Sequence, residues 1–394
     1  MRLLATTAVV AFTAVFSGAA FAQEDPQPVQ DDYQDYLGLG TKQFKVRGGM
    51  HVETWFDDNI LLTDQNETDD AIVVLVPSLQ LRFDHGQDYV TLDYKGRDRH
   101  FNDNSDLNGM EHYVDALVHF RISKFYVELG DKYANRRDPF SVLQIVDRLD
   151  SLQNDAWVTI GGDFDKFDVE ISGSFRRFEI FDSFFDLYDH RRAGVSVTGL
   201  MDIMPKTQAL LEYGYSASEF DDSDILDSWT SHRVLAGLKG ELTPKIRVNA
   251  KAGFVQVIND DTNNFDDNDD ELTLFALIGA DWDVLANGTL RVEFQHQPVE
   301  SIFTSVAKSL LFKVGYDHKL SDRASVNAGA FYETQNEFQG GEDRWSYGFS
   351  GGAKYLVGRH LHLEAWGELR AKRSDNDLFE YDNVHGFFGA GLDF

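Results

Sequence analysis

Apolar and polar residues alternate with a period of two along most of this chain. In TLRVEFQ (289–295), Leu290, Val292 and Phe294 alternate with Arg291, Glu293 and Gln295. The same alternation recurs in LEAWGEL (363–369) and KIRVNAKAGF (245–254). Because neighbouring strand residues point to opposite faces of a sheet, each segment predicts a β-strand with one apolar and one charged face. The charged faces are too polar for the dry core between two packed sheets.

The breaks between these segments are alternately short and long. Short ones such as MPK (204–206) and TPK (243–245) alternate with acidic ones such as NDDTNNFDDNDD (259–270). Membrane barrels have tight turns on one side, long loops on the other and an even number of strands. We therefore predict an all-β fold: a closed antiparallel transmembrane β-barrel of about 18 strands over residues 43–394, with short periplasmic turns and long acidic extracellular loops. A periplasmic β-sandwich or propeller is the alternative, although an open sheet of this size would leave two long edges unpaired.

The first residues have the features of a secretory signal peptide. An early Arg2, an apolar stretch and the small residues Ala20 and Ala22 predict a signal peptide over 1–22. Residues 23–42 are then expected to form a short periplasmic segment, and no later segment is apolar for long enough to predict a spanning helix. Together with the barrel pattern, this predicts the outer membrane of a Gram-negative bacterium as the location.

The last predicted strand has one apolar face and ends with an aromatic residue. Phe388, Ala390, Leu392 and Phe394 share one face of the last predicted strand. A final strand that ends on phenylalanine resembles the signal that outer-membrane barrels present to the barrel-assembly machinery. We therefore expect Phe394 to act as an assembly signal and that machinery to be a partner.

Charge is distributed unevenly between loops and strands. The formal net charge is −30, and most of it falls in the long loops. A chain this acidic is not expected to bind nucleic acid through its charge. On the polar faces of the predicted strands, basic and acidic residues occur in about equal numbers. The residues predicted to line the lumen are Arg82, Lys95, Arg97, Arg121, Glu128, Arg247, Lys251, Arg291, Glu293, Glu364, Trp366 and Arg370.

This balanced inner phase has two interpretations. The charges could neutralise one another across neighbouring strands and serve the wall alone. They could also form a wet wall that passes polar solutes such as sugars, since a barrel of 16 to 18 strands is wide enough for an aqueous channel. The acidic loops could bridge to lipopolysaccharide through Ca²⁺, but DDNDDE (266–271) lacks the glycine and the later glutamate of a calcium loop, which favours solvated loops. Outer-membrane lipid and lipopolysaccharide are the expected partners, and a structural or adhesive barrel without an open pore is the alternative to a channel.

The third long loop differs from the others in carrying little net charge. In ANRRDPFSVLQIVDRLDSLQ (134–153), Asp138 suits a helix cap, Pro139 suits the first helical position, and Val142, Ile145 and Leu149 lie on one apolar stripe. We expect this segment to form a helix that folds into the barrel mouth and narrows it. A helix on the rim, or one between protomers, is the alternative.

Signatures of enzyme chemistry are weak in this sequence. GFSGG (348–352) matches a G-x-S-x-G motif around Ser350, but it falls inside a predicted strand and not on a strand-to-helix turn. HLH (360–362) places two histidines on one strand face without a third ligand nearby in sequence. The sequence indicates no cofactor and no metal, and we do not expect an enzyme.

The segment VETWFDDNILLTDQNETDDAIVVLVPSLQLRF (52–83) resembles the start of the second putative β-barrel porin family. The matching features are an aromatic-Asp-Asp-Asn motif at Phe56-Asp57-Asp58-Asn59, an acidic pair, and a strand with Pro77, Leu79 and Leu81. The resemblance implies an outer-membrane barrel, and it implies a role as a conduit for exopolysaccharide export with periplasmic polysaccharide-export components as partners. The balanced lumen argues against a strongly anionic polymer.

Overall fold

The alternating segments form an 18-stranded sheet in the computed structural model. The structure describes residues 43–64, 67–139, 148–182, 185–221, 228–259, 271–301, 305–337, 343–375 and 380–394. The strands are β1 (Phe44–Asp57), β2 (Asp70–His85), β3 (Asp88–Phe101), β4 (Gly109–Ile122), β5 (Phe125–Pro139), β6 (Arg148–Phe164), β7 (Phe167–Ile180), β8 (His190–Met204), β9 (Thr207–Phe220), β10 (Trp229–Thr243), β11 (Ile246–Asn259), β12 (Glu271–Leu285), β13 (Gly288–Ser301), β14 (Ser305–Ser321), β15 (Ala324–Glu337), β16 (Asp343–Leu356), β17 (Leu361–Ser374) and β18 (Tyr381–Asp393).

Every strand pairs antiparallel with its neighbours in sequence, and β1 also pairs with β18. At this seam Gly49 to Asp57 lie opposite Asp393 to His385. The sheet is therefore a closed barrel without free edges, which satisfies the backbone hydrogen-bonding groups of every strand. The predicted fold class and strand number are confirmed.

The connections differ at the two ends of the barrel. Consecutive strands are joined at one end by connections of two to four residues, from 86–87 to 357–360, and at the other end mostly by longer ones such as 58–69. Three of the tight turns contain a residue with a left-handed backbone: Gly86 (φ 67°), Ser123 (φ 57°) and Asp165 (φ 66°). We call these two ends the short-turn end and the loop end.

The outer face of the barrel is apolar. In β8, for example, Val195 and Val197 are exposed, whereas Ser196 and Thr198 between and after them are half-buried on the inner face. Similar exposed side chains on other strands include Phe254, Leu274, Phe312, Phe349, Leu369 and Phe388. A continuous apolar outer band is the surface that a membrane barrel presents to lipid.

Helical structure is limited to short turns in the described ranges. Two 3-10 turns, Ser105–Leu107 and Asp186–Tyr188, lie in loop-end connections. None of the helices in the described part of the chain is long and apolar enough to cross a membrane.

The helix predicted within residues 134–153 is contradicted at both of its ends, 134–139 and 148–153, which are strands. Asp138 and Pro139 are the last residues of β5 and lie opposite Leu149 and Arg148 of β6. The strand ladder therefore continues to Pro139, where a helix is predicted to start. In addition, each of Arg137 and Arg148 donates from its side-chain Nε to the other's carbonyl oxygen, at 3.5 and 3.0 Å. Val142 and Ile145 lie outside the described residues.

The last residue is fastened to the first strand. The Phe394 N–H donates to the carbonyl oxygen of Gly48 at 2.8 Å, and the Gly48 N–H donates to the carbonyl oxygen of Phe394 at 2.6 Å. A Cβ at position 48 would lie 2.8 Å from the Phe394 ring, so glycine gives this ring its place on the outer face. The assembly-signal role of Phe394 stays a prediction.

Candidate functional site

The charged and aromatic residues predicted to line the lumen all lie on the inner phase of their strands. They are Arg82 (β2), Lys95 and Arg97 (β3), Arg121 (β4), Glu128 (β5), Arg247 and Lys251 (β11), Arg291 and Glu293 (β13), and Glu364, Trp366 and Arg370 (β17). Each alternates with outer residues, as Arg82 does with the exposed Phe83. Their action on a passing solute stays a prediction.

Matched ion pairs line the inner wall at the short-turn end. Arg82 Nε donates to Asp84 Oδ1 at 2.8 Å, and Arg121 Nη2 lies 3.0 Å from Asp163 Oδ2. Further ion pairs at this end are Lys45–Asp84, Lys206–Glu241, Arg247–Asp283 and Arg291–Asp317. Partly exposed pairs stabilise a fold by at most about 1 kcal/mol each. Their main effect is therefore to keep this part of the wall polar and without a dominant charge.

Three aromatic rings form a continuous stack beside these pairs. The ring centroids of Tyr89 (β3) and His119 (β4) are 5.1 Å apart, and those of His119 and Tyr126 (β5) are 5.6 Å apart. Tyr89 and His119 lie opposite each other in the strand register, so the sheet itself aligns the first pair. We call Tyr89, His119 and Tyr126 the aromatic row.

Charged groups contact two rings of the aromatic row. The guanidinium carbon of Arg82 lies 5.3 Å from the Tyr89 ring centroid, and Glu128 Oε2 lies 3.8 Å from His119 Nδ1. Cation–π contacts of this kind attract a guanidinium to the ring face. The row thus combines apolar ring faces with donors and acceptors of both signs.

The position of Tyr126 depends on a glycine in the next strand. A Cβ at Gly161 would lie 2.1 Å from the Tyr126 ring, so only glycine lets this ring lie over β6. From there the Tyr126 hydroxyl donates to Glu170 Oε1 of β7 at 2.7 Å. The sequence signal for this arrangement is weak, because Tyr126, Gly161 and Glu170 are far apart in the chain and only the barrel register brings them together.

A denser aromatic group lies at the seam. The Trp55 ring centroid is 6.0 Å from that of Trp366 and 4.8 Å from that of Phe387. Arg97, which is 2 % exposed, lies over the Trp55 ring at 5.6 Å, and Trp55 Nε1 donates to Glu53 Oε2 at 2.8 Å. Two predicted inner residues, Arg97 and Trp366, are therefore packed against Trp55.

Toward the loop end the inner face of β2 becomes apolar and is covered by the first loop. The inner residues of β2 are Ile72, Val74 and Val76, which are 3 %, 1 % and 4 % exposed. Ile60 and Leu61 of the first loop pack in the same buried cluster. The first loop therefore folds inward, which is the behaviour predicted for the third.

The aromatic-Asp-Asp-Asn motif holds this inward loop in place. Asn59 is fully buried, and its Nδ2 donates to the carbonyl oxygens of Thr63 at 2.7 Å and Asp382 at 2.9 Å. The Thr63 N–H donates to Asn59 Oδ1 at 3.0 Å, and Asp58 Oδ1 accepts from the N–H of Val384 at 2.7 Å. The motif thus joins the first loop to the adjacent strand β18 at the seam.

A second buried apolar cluster lies on the opposite part of the wall at the loop end. Its members are Leu149, Ile180, Phe185, Tyr188, Phe220, Trp229, Leu235, Val255, Val257, Phe275 and Val306. Trp229 is fully buried, with the Arg192 guanidinium 4.9 Å from its ring centroid. Leu149, predicted as part of a constriction helix, instead packs here from β6.

Arg148 links the third-loop hairpin to the first loop. Its Nη1 donates to the carbonyl oxygen of Ile60 at 3.4 Å, and its guanidinium lies 5.6 Å from the Phe101 ring centroid. Arg148, at the base of the third loop, therefore helps to hold the first loop over the inner wall.

One carboxyl group at the loop end has a strongly shifted pKa. Burial raises the pKa of Asp189 to about 6, although the Ile180 N–H donates to its Oδ1 at 2.7 Å. The nearby carboxylates Asp186 and Asp221 raise this pKa further. Asp189 therefore gains its proton at a mildly acid pH at which ordinary aspartates are ionised.

Two observations bear on possible chemistry at the inner wall. His51, His362 and Glu364 are the one group in the described ranges whose ligand atoms lie close enough together to hold a metal ion. Sequence analysis did not identify this group because His51 and His362 lie near opposite ends of the chain.

Ser350 lies within β16 and so lacks the strand-to-helix turn on which a G-x-S-x-G nucleophile depends.

Solved structures of several outer-membrane proteins are similar to this barrel. OccK2 (OpdF) of Pseudomonas aeruginosa in complex with glucuronate is 10% identical over 89% of this chain and 98% of its own, with a TM-score of 0.49. OccAB3 of Acinetobacter baumannii is 10% identical over 89% and 99%, with a TM-score of 0.48. OpdK of Pseudomonas aeruginosa with vanillate is 11% identical over 89% and 99%, with a TM-score of 0.47.

Family membership rests on the sequence itself. No curated protein matches this chain. A family model described as "Putative beta-barrel porin 2" matches residues 35–393, which covers the whole barrel. This match confirms the resemblance seen at Phe56-Asp57-Asp58-Asn59 and extends it to β18. The chain belongs to this porin family of β-barrels.

Proposed function

We propose that this barrel is a channel for saccharides or other polar solutes of low charge in the outer membrane of a Gram-negative bacterium. The observation that carries the proposal is the aromatic row with its flanking charges. The apolar face of a sugar ring packs on an aromatic face, while its hydroxyls bind carboxylates and guanidinium groups. Arg82, Glu128 and Glu170 supply such groups beside the row.

The balanced ion pairs at the short-turn end support the same solute class. A wall with neighbouring charges of both signs has no strong field for one ion type, so it discriminates by size and hydrogen bonding. The export of an exopolysaccharide is a finer form of the proposal. In that form periplasmic polysaccharide-export components deliver the polymer to the short-turn end, and barrel-assembly machinery and lipopolysaccharide are further partners.

The experiment is single-channel recording in planar bilayers with malto-oligosaccharides as neutral probes. Wild-type protein is expected to conduct, and the sugars are expected to block the current. Tyr126→Ala removes one stacking surface worth about 0.5–1.5 kcal/mol, so block is expected to weaken roughly two- to tenfold. Tyr332→Ala is the matched control, because Tyr332 is exposed on the outer face. Equal block of wild type and Tyr126→Ala contradicts the role of the row.

A second candidate function is a structural or adhesive barrel without an open pore. The observation that favours it is the loop end, where Ile60 and Leu61 cover apolar inner residues. The acidic loops would then bind cations or a surface partner. Absence of measurable conductance in the wild type would support this candidate and exclude the channel.

A further inference from the structure

Two histidines face each other across a glycine at the barrel seam. His51 of β1 and His362 of β17 both lie opposite Gly391 of β18 in the strand register. Their ring centroids are 4.6 Å apart in an edge-to-face arrangement. A Cβ at position 391 would lie 2.4 Å from both Nε2 and Cε1 of His362. Any other residue at 391 would fill this space, so glycine keeps the gap between the two rings open.

His362 has one ring nitrogen oriented by a carboxylate and the other without a hydrogen bond. Its Nδ1 lies 3.3 Å from Asp393 Oδ2, which fixes the ring. Its Nε2 is buried and has no hydrogen-bond partner among the described residues, and Glu364 Oε1 lies 3.4 Å away. The side chain is only 2 % exposed. A buried ring nitrogen without a hydrogen-bond partner is costly unless something binds it.

We propose that His51, His362 and Glu364 bind a divalent transition-metal ion on the inner wall of the barrel, with Zn²⁺ as the best-matched ion. One ligand atom from each residue lies within 4.8 Å of the other two, so small side-chain movements bring all three to bonding distance. Two imidazoles and a carboxylate are a common protein ligand set for zinc and leave a further coordination position open. His51 and Glu364 are partly exposed, so this position faces the bore.

Asp393 has a positioning role in this site. Metal-binding histidines commonly donate their second N–H to a carboxylate, which fixes the tautomer and increases the basicity of the ligating nitrogen. Asp393 lies 3.3 Å from His362 and 3.6 Å from Nε2 of His51, so it contacts both imidazoles.

Lys354 opposes metal binding. Its Nζ lies 2.8 Å from Glu364 Oε1, so the ammonium neutralises the carboxylate that the metal needs. Metal binding therefore requires Glu364 to turn its second oxygen inward or Lys354 to move away. Removal of this charge is expected to tighten binding, which gives the proposal a test with a gain of affinity.

A bound ion would join β1 to β17 across β18. The β1–β18 seam extends from Asp57 only to the Gly48–Phe394 backbone hydrogen bonds, whereas β1 pairs with β2 along its whole length from Phe44 to Asp57. A ligand that binds only the closed barrel stabilises it in proportion to its occupancy. The metal would therefore reinforce the seam where the barrel closes.

The direct test is calorimetric titration of Zn²⁺ into untagged, EDTA-treated barrel in detergent micelles. We expect one Zn²⁺ per chain for the wild type and at least tenfold weaker binding for His362→Ala and His51→Gln. His100→Ala is the control, because His100 also lies beside a carboxylate, Asp98, but is exposed and outside the cluster. Heat-modifiable gel migration shows whether each variant is folded, and His51→Gln serves if His362→Ala does not fold.

Two further variants separate a built site from incidental binding. Asp393→Asn is expected to keep the stoichiometry and weaken affinity by about 10- to 100-fold. Lys354→Met is expected to tighten it, and Zn²⁺ is expected to raise the temperature at which the wild-type band converts on the gel. Equal affinity in wild type and in folded His362→Ala or His51→Gln, or no binding to the wild type, would overturn the proposal.

Discussion

The inner wall at the short-turn end differs in chemistry from the inner wall beneath the first loop. At the short-turn end, Arg82 and Arg121 form ion pairs in a polar wall. At the loop end, Ile72 and Val74 occupy the same inner phase and are buried beneath Ile60. Alternation thus determines which side chains point inward, but it does not determine whether the space they face is wet.

This difference indicates that the loops determine whether a part of the inner wall is apolar and covered or polar and in contact with water. An apolar inner residue is stable only when something covers it, because exposed apolar surface is unfavourable in water. The first loop supplies that cover on the seam side, where Asn59 holds it down. The short-turn end has connections too short to fold inward, so its inner residues must be polar.

The largest expected effect comes from a cavity beneath the first loop. Ile72→Ala is expected to lower the free energy of unfolding by about 3 kcal/mol, because the lost methylenes leave a void in a packed cluster. Val73→Ala, one residue away on the outer face, leaves no cavity and is expected to cost about 1 kcal/mol. Urea unfolding in lipid vesicles measures both. Equal effects would mean that the inner apolar residues are not packed.

The next effect comes from release of the loop itself. Asn59→Ala leaves the carbonyl oxygens of Thr63 and Asp382 without their donor, and a loss of about 2 kcal/mol is expected. Single-channel conductance is expected to rise because the loop no longer covers the mouth. Asp64→Asn, an exposed change in the same loop, is the control. An unchanged conductance in Asn59→Ala would show that this loop does not limit the bore.

A smaller effect on stability is expected at the short-turn end. Arg247 lies 3.2 Å from Asp283 and 3.7 Å from Asp281, and its side chain is half exposed. Arg247→Gln is therefore expected to change the unfolding free energy by less than about 1 kcal/mol, while it shifts the reversal potential in a KCl gradient toward cations. Arg359→Gln, in the exposed 357–360 turn, should leave selectivity unchanged. A stability loss as large as that of Ile72→Ala would remove the contrast between the two ends.

The smallest effect is a pH dependence at the loop end. The folded-state pKa of Asp189 is raised to about 6 by burial, so its protonation stabilises the fold below about pH 4, and this contribution is lost as the pH rises through 6. Asp189→Asn is expected to flatten that part of the stability–pH profile. The pH dependence of local stability can be measured by hydrogen exchange of the Ile180 amide, which donates to Asp189. A profile identical to that of the wild type would mean that Asp189 does not titrate in this range.

Much of the fold followed from periodicity, because strand side chains have a strict period of two. That period gave the strand number and placed residues such as Arg247 and Glu293 on the inner phase. It did not separate the covered Ile72 and Val74 from a lipid-facing stripe, since DAIVVLVP is apolar on both phases.

Two features of the site lay beyond sequence reasoning. The third-loop stripe satisfied a helical spacing, but at Leu149 a neighbouring strand was available for pairing, and this residue lies in the extended ladder opposite Asp138. The aromatic row and the His51–His362 pair depend on register between distant strands. Only the closure of the barrel brings such residues into contact.

The central claim is that apolar side chains face lipid and polar ones face the bore. The chain has no cysteine, so single-cysteine variants give a clean test. In lipid vesicles, Ser196→Cys on the inner face is expected to react rapidly with a charged, water-soluble methanethiosulfonate. Val197→Cys, its neighbour on the outer face, is expected to stay unreactive until the barrel is unfolded. Equal labelling of the two variants, or faster labelling of Val197→Cys, would contradict the account.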